Sequence, residues 1–88
     1  MSTKPPVAVN EAPATSLEKT AYAMVADIPV REPNDGYRLG YCLWIWMTDR
    51  KGTIEEMVSS SGVRTPMPLP EVVRTIAARV EAFDKQRS

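Results

Sequence analysis

Residues 37–48 read Tyr37-Arg38-Leu39-Gly40-Tyr41-Cys42-Leu43-Trp44-Ile45-Trp46-Met47-Thr48, and the conformation of this stretch decides the architecture. Aromatic residues are dense in it. Between Tyr41 and Met47 neither set of alternating positions is polar. That composition favours a β-strand. A strand apolar on both faces is covered twice, or covered once with its second face left for a partner. Gly40 would then mark a bulge or a close approach of backbone.

The flanks support a hairpin. Upstream, Glu32-Pro33-Asn34-Asp35-Gly36 has the composition of a turn. Downstream, Asp49-Arg50-Lys51-Gly52 places Asp and Gly where a type I turn prefers them, and a left-handed Gly would complete a G1 bulge. Thr53 to Ser59 would return antiparallel, setting Trp44 and Trp46 opposite Val58 and Glu56. A helix from Ile54 to about Ser61 competes for the same residues. Thr53 and Glu56 fit a capping box, and Gly62 fits a helix end. The strand is preferred. A third strand at Pro29 to Arg31 would extend the sheet.

Helices are expected on either side. Thr15-Ser16-Leu17-Glu18 resembles a capping box. Leu17, Ala21, Met24, Val25 and Ile28 follow at helical spacing, and Pro29 ends the run, which predicts a helix over 16–27. Tyr22, Met24, Ala26, Ile28 and Val30 also alternate, as in a strand. From Leu69 to Gln86 the apolar positions Leu69, Val72, Val73, Ile76, Val80 and Phe83 form one stripe. Pro70 and Glu71 suit a first turn, and Glu81–Lys85 is a favourable pair. The expected fold is α+β: a small antiparallel β-hairpin of two or three strands, packed against one or two amphipathic helices. Residues 1–14, rich in Pro and without a period, are expected to form a disordered arm, and 15–88 one small domain.

Size and charge narrow the function. The chain has 88 residues, and a core of this order rarely supplies more than about 3–5 kcal/mol. One cysteine excludes an internal disulfide, and with no histidine there is no zinc spacing. Self-association or a partner subunit is the remaining support, so a homodimer is one candidate. Lys and Arg total 11, as do Asp and Glu, which is not a basic nucleic-acid footprint. The longest apolar run, Leu39 to Met47, is far below the ~20 residues that cross a bilayer. With no secretory signal, the expected location is cytoplasmic, away from membranes.

Catalytic, cofactor and metal sites are expected to be absent. Cys42 has no histidine to activate it and sits in an apolar run, where a thiol is packing. Glu55 and Glu56 are adjacent and cannot face one another as an acid–base pair. Neither phosphate-cradling glycine motif occurs. Two Trp, three Tyr and five Met are instead the residue types that interfaces enrich. The expectation is a non-enzymatic protein-interaction module, such as an adaptor, an assembly subunit or an occluding inhibitor. Its partner-binding residues would be Tyr41, Trp44, Trp46, Arg50 and Lys51.

The alternative is a small nucleic-acid-binding or regulatory protein. There Arg50 and Lys51 at the hairpin tip would hold phosphates, and the aromatic residues would stack bases. Residues 54–64 resemble the first helix and turn of a helix-turn-helix, but Pro66, Pro68 and Pro70 stand where a recognition helix would run.

Overall fold

The computed structural model describes residues 13–87, and they form four helices: α1 Pro13–Val25, α2 Pro33–Asp49, α3 Ile54–Ser61 and α4 Leu69–Arg87. No strand occurs among the described residues, which overturns the α+β hairpin. The arm expected over 1–14 lies outside the described residues except for Pro13 and Ala14, which belong to α1. Thr15, expected at the start of that helix, therefore lies within it.

The decisive stretch 37–48 lies within α2. Leu39, Leu43 and Met47 recur every fourth residue and are buried together, while Tyr41 and Ile45 between them are exposed; a strand would keep all five on one face, and a helix parts them. The expected turn at Glu32–Gly36 is the start of this helix. Glu32 is an extended N-cap, and Pro33 takes the first position, where its missing N–H costs nothing. Asp35 continues the buried row by one rung at the positive end of the helix. Its Oδ1 lies 3.4 Å from Arg38 Nη1, and its Oδ2 lies 3.8 Å from Arg64 Nε.

The expected hairpin tip is the link between α2 and α3. Arg50 closes α2 in a left-handed conformation, φ 55°, and its N–H donates to the Trp46 carbonyl. The returning strand is α3, the less favoured of the two sequence readings. Thr53 Oγ1 accepts from the Glu56 N–H at 3.0 Å, and Glu56 Oε1 accepts from the Thr53 N–H at 2.9 Å. These reciprocal bonds satisfy two orphan donors that a strand would leave to a neighbour. Gly62, φ 70°, ends α3. Residues 62–68 then run without helix to α4.

One core joins all four helices. Ala21 and Val25 of α1 and Ile28 beyond it meet the α2 row, Met57 and Val58 of α3, and Val72, Ile76 and Val80 of α4. The linkers are tied to each other. The Arg31 N–H donates to the Arg64 carbonyl at 3.0 Å, and Thr65 Oγ1 donates to the Pro29 carbonyl. The segment 29–31, expected as a third strand, is thus a linker held by another linker. None of the four described helices is long and apolar enough to cross a membrane.

Arg79 of α4 fastens the end of α1. It donates to the Met24 carbonyl and, through both terminal nitrogens, to Asp27 at 2.7 and 3.0 Å. Those bonds hold the Asp27 carboxyl below its ordinary pKa, against a smaller effect of burial. A depressed folded pKa gives stability that is present above the unfolded value and lost as pH falls through the folded one. Asp27→Asn should therefore be less stable than wild type at neutral pH, with the difference closing in acid. Chemical unfolding at a series of pH values checks this, and parallel profiles would rule out the linkage.

Candidate interaction face

On a helix each residue advances roughly 100°. Tyr37, Tyr41, Ile45 and Thr48 accordingly share one side of α2, opposite Leu39, Leu43 and Met47. Tyr37 is 67% exposed, Tyr41 52% and Ile45 41%. They are three of the four exposed large hydrophobic residues among those described, the fourth being Leu69 on α4. The exposed apolar surface is thus concentrated on one element.

The aromatic rings are set against each other. Tyr41 meets Trp44 edge to face, with centroids 5.9 Å apart and planes at 80°. Tyr37 meets Tyr22 of α1 at 6.5 Å and 65°. Such contacts hold aromatic side chains in place before any partner arrives. A groove of about 320 Å³ runs beside this face between α2 and α3, with Tyr41, Cys42, Ile45 and Met57 in its wall and Asp49 and Lys51 at one end. On the other flank a cavity of about 350 Å³ lies between Tyr22 and Tyr37. Burial raises the pKa of the half-buried Cys42 thiol, with Arg38 opposing weakly, so the thiol is held in its protonated form.

The five residues expected to bind a partner are separated by the helix. Tyr41 is on the outward face, with Trp44 half-buried at its edge. Trp46 turns the other way and donates its indole N–H to the Gly52 carbonyl at 3.0 Å. The Arg50 guanidinium lies 5.0 Å from the centre of the Trp46 ring and binds Asp84 at 2.7 and 3.3 Å. Trp46 and Arg50 therefore lock the α2–α3 corner to α4. Lys51 is exposed at the end of the groove. The pairing of Trp44 and Trp46 on one strand face does not exist.

Tyr37 and Ile45 were missed. A helical reading of 37–48 would have found them, because they fall four residues either side of Tyr41. Phenol, indole and alkyl groups dominate the face. Their chemistry is the burial of apolar area, with hydroxyls available for hydrogen bonds. No cluster of three or more His, Cys, Asp or Glu suited to a metal ion occurs among the described residues.

A second cleft, of about 460 Å³, lies between the two linkers and α3, with Arg31 and Arg64 on its wall. Arg64 is turned toward Glu32 and Asp35, each at 3.8 Å. No family model matches the chain, and no curated protein or solved structure is significantly similar to it.

Proposed function

We propose that this chain is a non-enzymatic protein-interaction module, an adaptor, assembly subunit or occluding inhibitor, whose contact is made by the outward face of α2 and the adjoining α2–α3 groove. The observation that carries this reading is the alignment of Tyr37, Tyr41 and Ile45 along a single exposed helix face. A contiguous apolar surface on a small chain is costly to leave in water, and such patches mark contact sites. Tyrosine gives large contact area with little side-chain entropy to lose. The groove gives a partner a concave seat beside the ridge.

The nucleic-acid alternative loses one of its two basic residues, since Arg50 is occupied by Asp84 and Trp46.

Capture from native lysate with the tagged full chain tests the proposal, using nuclease-treated and untreated halves and Ile45→Glu as the variant. Ile45 is 41% exposed, so the fold should survive the change, which far-ultraviolet circular dichroism verifies. The expected result is a protein retained after nuclease whose recovery falls roughly tenfold or more in the variant, as for loss of a central anchor. Loss of every partner on nuclease treatment, or equal recovery by the variant, would refute the proposal.

A further inference from the structure

We propose that the first occupant of the α2 face is a second copy of this chain, docked antiparallel α2 on α2 about a twofold axis between Tyr41 and Ile45. This inference rests on the reading of that face as a contact surface and names its partner. The spacing of the outward residues is the first argument. Arg38, Tyr41, Ile45 and Thr48 recur at intervals of three, four and three, which is the seam pattern of paired helices. In an antiparallel pair centred between Tyr41 and Ile45, each Tyr41 meets the partner's Ile45. One contact made twice is what a twofold interface requires.

Charge gives the direction. Arg38 and Asp49 are eleven residues apart, close to three turns, so they return to the same flank of α2 at opposite ends of the apolar stretch. The Arg38 side chain is 50% exposed, and Asp49 is exposed. Arg38 presents one nitrogen to Asp35 at 3.4 Å and has further N–H donors in its fork. Antiparallel docking in this register brings each Arg38 level with the partner's Thr48, about 1.5 Å along the axis from the partner's Asp49, so the pair can form at both ends of the seam. Parallel docking about an axis along the helices would put this flank and its copy on opposite sides of the seam and form neither ion pair, so the charges favour the antiparallel form. Burying Tyr41 and Ile45 between copies would also enlarge the core of a chain at the lower limit of self-sufficiency.

Sedimentation equilibrium of the full chain, from micromolar to millimolar concentration, tests the proposal. The wild type is expected to approach twice its 9.8 kDa mass. Asp49→Lys, at an exposed position, and Arg38→Glu should each weaken the dimer roughly tenfold or more, because each makes two like-charge contacts. The doubly reversed chain, Arg38→Glu with Asp49→Lys, should recover it, since opposite charges again face across the dyad. Loss of fold in the Arg38 variant would show in circular dichroism, and Asp49→Lys alone still decides the result.

A wild type that stays monomeric, or a dimer indifferent to Asp49→Lys, overturns the proposal. If that monomer still captures a partner that Ile45→Glu loses, the contact face stands and only its occupant changes.

Discussion

Leu43→Ala is expected to leave the chain largely unfolded in plain buffer, whereas Ile45→Ala, two residues on, should change monomer stability by no more than about 0.5 kcal/mol. Leu43 is fully buried in the middle of the α2 row, within the cluster that joins all four helices. Truncating such a leucine costs about 2–5 kcal/mol, through lost transfer energy and the cavity left behind. A core of this size rarely supplies more than about 3–5 kcal/mol in total, so the substitution removes most of the margin. Ile45 is 41% exposed on the opposite side, and alanine is the better helix former. The two substitutions also discriminate between conformations. In a strand, residues 43 and 45 would share a face and cost alike. Urea denaturation under monomeric conditions gives the measurement, and similar losses at both positions would contradict a helical α2.

The difficulty of reading α2 from sequence is contained in the same residues. From Leu39 to Met47 there is no charged residue to reveal a period, so the buried row and the outward aromatic row merge into one apolar run. Tyr and Trp then weigh toward a strand. Of the β-branched residues that favour strands most consistently, the run holds only Ile45. Glu32 and Pro33 are open to a second interpretation, because a proline in a turn and a proline opening a helix have the same neighbours.

Where polar residues interrupt the apolar ones, the sequence is more informative. The α4 stripe over 69–86 matches Leu69–Arg87, with its charged face broken by Arg74, Glu81 and Lys85. The first helix, expected over 16–27, runs over Pro13–Val25. The capping box of Thr53 and Glu56 is visible, but the hairpin expectation for 37–48 draws 53–59 into the wrong partner. The interaction face depends on that assignment. In a strand Tyr41 and Trp44 would point to opposite faces, and Tyr37, Tyr41 and Ile45 would share theirs with Leu39 and Leu43; the helix parts the exposed row from the buried one and takes Trp46 and Arg50 off the face.

Gly40→Ala is expected to destabilise the fold by about 2 kcal/mol even though it places the best helix former inside a helix. Considered alone, the change would stabilise, since glycine costs about 1 kcal/mol relative to alanine in a helix interior. The Tyr22 ring reverses the sign. A Cβ at position 40 would lie 2.7 Å from Tyr22 Cε1 and 3.1 Å from Cγ. Because Cγ, at the root of the ring, is among these contacts, rotating the ring tip does not clear the clash, and α1 itself must move off α2. Overpacking of this kind typically costs about 1–3 kcal/mol and sometimes more. At roughly 4–8 °C per kcal/mol for a chain of this length, Tm should fall by about 8–16 °C. Removing the ring isolates the cause: in a Tyr22→Ala background, Gly40→Ala should become neutral or stabilising. A double-mutant cycle read by thermal unfolding measures that reversal, and Gly40→Ala costs of equal size in both backgrounds would refute the close-approach explanation. The same contact fixes where α1 lies along α2, and therefore where Tyr22 supports Tyr37. A Gly40→Ala chain that relieves the clash by shifting α1 should consequently also bind less well at its outward face, although residue 40 is buried and no partner would touch it.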